Sequence, residues 1–234
     1  MNGEDRELEG IELKKLKRGA IARVLFVFFI MGLMFFLPAG TLRYWEGWAY
    51  LIYIAVPMTI FGAYMFKHDT KLLERRMRIH EKRKEQKLIQ ALAILPFLLT
   101  FIVPGFDRRF GWSDVPLPVT IAGIALVLLG YLMTLRVFME NSYASRIVEV
   151  DKGQKVITTG PYALVRHPMY TSIIIFYGAS PLALSSYWAL IPALTIIPVL
   201  IFRIIGEEKE LLQNLEGYRE YTQKTRYRLV PGIW

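Results

Sequence analysis

The chain has 234 residues, of which 54% are hydrophobic and 14% aromatic, with a net charge of +9 and no cysteine. It is too apolar for an ordinary soluble domain of this length, and the lack of thiols excludes a disulfide framework and a thiolate metal site. A bilayer is the natural solvent, provided that the apolar residues run unbroken for roughly 20 positions, the length a helix needs to cross a hydrocarbon core.

Residues Met1 to Glu12 are polar and acidic, and Lys14, Lys15, Lys17 and Arg18 follow. Ala20 to Pro38 then carries Arg23 as its single charge. The run is long and lacks a small-residue cleavage pattern, which predicts a retained membrane anchor and not a signal peptide. Gly47 to Phe66 is uncharged, and the short Thr41 to Glu46 connection holds only Arg43 among cations. Lys67 to Lys87 is dense in lysine and arginine, which orients it to the cytoplasm and predicts a solvated helix or loop at the membrane face. Within it, Glu74, Arg75, Arg76 and Arg78 have the further option of closing a cytoplasmic site. His68 and His80 have no partners at metal-ligand spacing and read as surface residues, so no metal is expected.

Leu88 to Phe106 and Leu117 to Phe138 are the next two spans, with Arg136 near the end of the second able to snorkel to the interface. The connection Asp107 to Pro116 is charge-balanced. Pro168 to Phe202 is uncharged and too long for one span, with Pro181, Ser185 and Ser186 in its middle. This predicts a helical hairpin with arms at about Met169 to Leu184 and Tyr187 to Ile205, the first of them short. The fold class is therefore an all-α integral membrane protein with five or six transmembrane helices. Residues 1–19 form a cytoplasmic segment, 20–138 a four-helix membrane region, and 139–234 a loop, hairpin and interfacial tail. Six crossings with both termini cytoplasmic place every basic loop inside. The excess positive charge then serves orientation and contact with lipid headgroups, and no recognition motif accompanies it to suggest nucleic acid.

Past the last arm, Leu211, Leu212, Leu215, Tyr218 and Tyr221 recur at helical spacing among charged residues, predicting an amphipathic interfacial helix that Gly217 interrupts. The chemistry is expected in this second half. In Gly160-Pro-Tyr-Ala-Leu-Val-Arg-His-Pro-Met-Tyr170, Pro168 suits a helix's first turn and sets Arg166 and His167 at the positive end of that helix. A ligand carboxylate or phosphate would be at home there. The hairpin returns Arg203, Glu207 and Glu208 to the same face. Glutamates near a helix C-terminus gain nothing from the macrodipole, so their position points to function.

Taken in order, Gly160 to Tyr170, the hairpin, Glu207-Glu208, the Tyr218 and Tyr221 pair and Tyr227-Arg228-Leu229-Val230-Pro231 resemble the isoprenylcysteine carboxyl methyltransferase family. The related phospholipid N-methyltransferases share its Arg-His-Pro and Glu-Glu elements. The resemblance implies a helical membrane enzyme that binds S-adenosylmethionine in a cytoplasm-facing pocket and receives a lipophilic methyl acceptor from the bilayer. It implies Tyr162, Arg166, His167, Pro168, Tyr170, Glu207 and Glu208 as the cofactor pocket, Arg203, Glu207 and Arg228 as the catalytic set, and Asn141 on the substrate side. The chain has no Gly-x-Gly element, so helices and loops would have to hold the cofactor. Two other readings stay open on the residues: a membrane sterol-type reductase using NADPH, and a transporter without enzymatic activity, for which no intramembrane ionisable relay is visible.

Overall fold

A computed structural model of the chain describes residues 3–77, 81, 83–145 and 147–234; Arg78, His80 and Lys82 of the basic connection lie outside the described residues. The elements are all helical: α1 (Gly3–Ala39), α2 (Trp45–His68), α3 (Thr70–Met77), α4 (Lys84–Phe110), α5 (Leu117–Glu140), α6 (Pro168–Ala183), α7 (Leu190–Leu194), α8 (Ile196–Asn214) and α9 (Tyr218–Lys224), with one 3-10 turn at Gly160–Ala163. Five stretches are long and apolar enough to cross a membrane: Lys14–Ala39, Trp45–His68, Lys84–Phe110, Leu117–Glu140 and Leu190–Asn214. The four plain spans sit where unbroken apolar runs placed them. The outward faces of these five stretches expose Leu25, Phe29, Ile60, Leu95, Leu132 and Phe202 over an area that water would not tolerate, as lipid-facing helices must.

The hairpin forms as the sequence predicts, with asymmetric arms. The first, α6, has 16 residues; at about 1.5 Å per residue it is shorter than the hydrocarbon core. The second arm is α7 and α8, joined through Thr195. Ser185 turns the chain with a positive φ of 54°, and its hydroxyl bonds that of Thr120 at 2.8 Å. The short α6 is held by close backbone packing on α5. A Cβ on Gly123 would come within 2.5 Å of the Ala183 nitrogen, and one on Gly130 within 2.9 Å of the Phe176 nitrogen and the Ser172 oxygen. Seven residues apart on one helix face, the two glycines let the backbones approach in a way bulkier residues forbid.

Two features differ from expectation. The polar residues ahead of the first span are helical from Gly3 onward and continuous with it. The tail helix is not a separate interfacial piece: α8 runs on past the apolar arm to Asn214, and Gly217 at φ 80° turns the chain into the short α9. The continuous helix carries Arg203, Glu207 and Glu208 rigidly out of the bundle.

Both bundle ends are tied. At one, Tyr44 donates to the Leu184 carbonyl at 2.7 Å, and the buried Asp107 accepts from the Ser113 amide and hydroxyl (2.7 and 2.6 Å) and from Ser186 Oγ (2.5 Å). These bonds anchor the hairpin turn. A core of Phe35, Tyr50, Phe101, Val127 and Ala183 fills the middle, and at the other end α3, the 141–167 loop and the tail meet over the ends of α6 and α8.

Candidate active site

The site is built on the start of α6. His167 is the N-cap and Pro168 the first helical residue, where a missing N–H costs nothing. Just ahead of this terminus the chain bonds to itself. The Arg166 and His167 amides donate to the carbonyls of Tyr227 and Arg228, both at 2.9 Å, so the tail lies directly across the helix start. The anion attracted there is internal as well. Glu208 Oε1 accepts from Arg166 Nε at 2.6 Å and from His167 Nε2 at 3.3 Å, while its Oε2 accepts from Arg228 Nε at 2.7 Å. Arg166 Nη1 reaches the Thr225 and Arg226 carbonyls at 3.1 and 2.8 Å, and the Arg228 guanidinium lies 5.0 Å from the Trp234 ring. Arg166, His167 and Glu208 are each at most 9% exposed. One carboxylate shared among two guanidiniums and an imidazole offsets its desolvation by several bonds at once, which is how a buried ionic cluster survives.

A second set lies one helical turn away. Arg203 Nε donates to the Tyr170 hydroxyl at 3.0 Å, and Tyr170 donates to Glu207 Oε2 at 2.7 Å. Because the phenol accepts from the guanidinium and donates to the carboxylate, its orientation is fixed from both sides. The adjacent glutamates of α8 therefore have different roles: Glu208 is consumed by structure, while Glu207 faces a cavity.

The cavity, of about 100 Å3, has three walls. Tyr162 to Tyr170 form the floor, Glu207, Leu211, Leu215, Tyr218 and Tyr221 one side, and the loop from Asn141 to Ile157 the roof. Asn141 donates to the Tyr162 hydroxyl at 2.8 Å and accepts from the Tyr143 amide at 2.9 Å. Tyr221 donates to the Tyr162 carbonyl at 2.7 Å. Burial, reinforced by Glu208 and Glu207, pushes the Tyr218 phenol well above its usual range. Burial does the same to Tyr162, against the hydrogen bond from Asn141 and with Glu207 adding to the rise. Both phenols keep their protons at neutral pH.

All the residues read from the sequence are brought together here, with Arg203 and Arg228 at opposite edges. Sequence reasoning missed Glu81 and Arg83 and gave Tyr218 no role of its own, while Arg75 is among the residues to which it gave the option of closing the site. Tyr218 is 4% exposed and its hydroxyl has no partner among the described residues. Glu81, also buried, accepts from the Val148 amide in the roof at 3.0 Å. Arg75 binds the roof at Asp151 (2.5 Å) and at the Ser142 carbonyl (2.8 Å) and lies 4.9 Å from the Tyr143 ring. Arg83 pairs with Glu210 on the far wall. The basic connection between α2 and α4 thus clamps the roof besides orienting the chain.

Residues 119–219 match the family model for phospholipid methyltransferase. No curated protein sequence matches the chain. Among solved structures, the chain is similar to the eukaryotic intramembrane Ras methyltransferase, isoprenylcysteine carboxyl methyltransferase, at 18% identity and a TM-score of 0.46, over 91% of this chain and 86% of that one. The matched segment runs from α5 through the roof and hairpin to the start of α9 and so supplies most of the cavity. The match thus likens the cavity-bearing segment of this chain, whose helices include five long and apolar enough to cross a membrane, to the phospholipid methyltransferases.

Proposed function

We propose that the protein transfers the methyl group of S-adenosylmethionine to a lipophilic acceptor that reaches the cavity from the bilayer. The observation that carries this reading is the lining itself. A carboxylate with one oxygen hydrogen-bonded by Tyr170, an unpartnered and protonated Tyr218 hydroxyl, and apolar Leu211, Leu215 and Val156 surround one space. That donor set suits a cationic nucleoside with ribose hydroxyls and an adenine to bury. Tyr162, Pro168 and Tyr170 would form its floor, Glu207 and Tyr218 would bond its polar atoms, and Arg166, His167 and Glu208 would set the shape of that floor.

Bound there, the sulfonium supplies an electrophilic methyl carbon: the acceptor's lone pair forms the new bond as the carbon–sulfur bond breaks, its electrons remaining on a neutral thioether. The chain's own groups position and desolvate. Arg203 is placed to orient an anionic acceptor head, and a carboxylate acceptor, already ionised at neutral pH, requires no base. An amine acceptor loses a proton, and Glu207 is the carboxylate at hand to take it. Arg228 and Asn141 act one step back, the first holding Glu208 and the second Tyr162. The roof excludes water, which favours loss of the sulfonium charge over its solvated ground state. The N-terminus, the 141–167 loop and the tail face the cytoplasm, where the methyl donor is made.

The test is thermal stability of the detergent-purified protein with S-adenosylmethionine, S-adenosylhomocysteine or NADPH, each at about a hundredfold excess over a micromolar Kd, where a one-site ligand contributes about 2.7 kcal/mol. Stabilisation by the first two alone, followed by transfer of a labelled methyl to S-farnesylated N-acetylcysteine or to phosphatidylethanolamine, is the expected result. Stabilisation by NADPH alone would overturn it.

A further inference from the structure

The segment similar to the phospholipid methyltransferases spans residues 119–219, yet a side chain from outside it reaches the site. Gln86, in the first turn of α4, is 2% exposed, and its Oε1 accepts from Arg203 Nη1 at 3.1 Å. The other face of the same amide lies against Gly206: a Cβ there would overlap Gln86 Nε2. Gly206 sits on the α8 turn between Arg203 and Glu207. We infer that Gln86 is a positioning residue for Arg203, and that position 206 is glycine so that Gln86 can lie against α8 and hold the guanidinium. The inference rests on the proposed methyl transfer, because Arg203 matters through the acceptor it orients.

The chemistry of an amide suits this task. A carboxylate in place of Gln86 would add a negative charge beside Arg203, whereas a neutral amide oxygen fixes the plane of the guanidinium without adding one. With Gln86 accepting from Nη1 and Tyr170 from Nε, two edges of the fork are fixed, and the directed series Arg203 to Tyr170 to Glu207 fixes the carboxylate in turn. Gln86 sits five residues beyond Glu81, which holds the roof through Val148. The start of α4 therefore touches both the roof of the cavity and the group at its membrane edge. The first half of the chain is part of the active site.

The test uses the full-length protein in detergent with Gln86→Met, which keeps length and loses the acceptor atom, and Gly206→Ala, which displaces the amide. Both should raise the KM for whichever probe the wild type methylates, S-farnesylated N-acetylcysteine or phosphatidylethanolamine. They should lower kcat/KM by about 10- to 100-fold, the scale of an ångström-sized misplacement, a larger effect than any they have on S-adenosylmethionine affinity. A merely structural role would shrink the active fraction and leave that KM as it is. A second readout needs no turnover: Gly206→Ala should lower the melting temperature in the wild-type background and not in Gln86→Ala, where the space is vacant. Wild-type KM in both single variants, or equal melting losses from Gly206→Ala in the two backgrounds, overturns the inference. Failure of the methyl-transfer reading shows separately, as a wild type that neither makes product nor is stabilised by the donor.

Discussion

At the scale of single residues the two adjacent glutamates make opposite predictions. Glu208→Ala removes the one anion that Arg166, His167 and Arg228 share, leaving a buried guanidinium without compensation. Breaking a buried pair from one side costs about 3–5 kcal/mol, so this variant should melt far below the wild type whether or not donor is present. Glu207→Gln keeps shape and leaves the cluster intact; it should retain the melting temperature and lose methyl transfer. Tyr218→Phe separates binding from folding more sharply. Its hydroxyl is buried without a partner, and deleting such a group is neutral or stabilising to the empty protein. If that hydroxyl bonds the donor, the same variant should weaken S-adenosylmethionine up to about tenfold, the worth of one hydrogen bond. Calorimetry on the empty and loaded variant reads both. The raised phenols also set an alkaline limit. The folded state holds the Tyr162 and Tyr218 protons where the unfolded chain releases them near pH 10. Stability from these groups is full below that pH and lost above it, visible as a melting temperature that falls from about pH 10 upward.

Among the elements, the α5–α6 contact and the roof clamp carry testable weight. Gly130→Leu would force a side chain into the α6 backbone at Ser172 and Phe176, and overpacking of this kind costs about 1–3 kcal/mol or more. The loss should appear as a lower melting temperature and, because α6 begins with the site, as weakened donor binding. Arg75→Ala removes two polar bonds and a ring contact from the roof, though Glu81 still holds Val148. It should speed donor dissociation several-fold in stopped-flow measurements and lower the melting temperature less than Glu208→Ala does, since Arg75 and its partner Asp151 are only partly buried. These elements also mark how far the sequence could be read. The spans were legible because each is an unbroken apolar run, and the hairpin because its uncharged stretch exceeds one crossing. Arg166, His167, Glu207 and Glu208 stood out because charges at the ends of apolar arms need a reason. Gln86 gave no signal, since a neutral amide in a helix's first turn is unremarkable until its partner, 117 residues on, is known. The basic connection was legible chiefly as an orientation signal, with closing a site only an option for Arg75 and its neighbours, because the positive-inside rule accounts for its charges without any partner. That Arg166 and His167, just ahead of α6, are bonded by Glu208 and the tail depends on tertiary contacts that no local pattern encodes.

For the whole molecule, the two tied ends of the bundle define its topology. The Tyr44, Asp107, Thr120, Ser113, Ser185 and Ser186 bonds gather every connection on one side, and the Arg75, Glu81, Arg83 and Glu210 contacts gather α3, the roof and the tail on the other. For the start of the first span and the tail to lie on one face the number of crossings must be even, and the short α6 would then be the sixth. It can cross because its ends do not have to meet bulk water. Its start is covered by the tail carbonyls and its end by the Asp107-anchored turn, which relieves the mismatch that a lone helix of this length would meet in lipid. A chain without native cysteine allows a background-free test. Single cysteines at Lys155 and Lys224 should react with a membrane-impermeant maleimide only when the cytoplasmic face is opened, and one at Thr41 should react from the opposite side. A cysteine at Trp188, in the hairpin turn, decides the role of α6: labelling together with Thr41 makes it a full crossing, whereas labelling with Lys155 would make the hairpin re-entrant. The hydrogen bonds from the Ser186 hydroxyl to Asp107 and from the Tyr44 hydroxyl to the Leu184 carbonyl predict the first outcome, because they join the hairpin turn to the end of α4 and the start of α2.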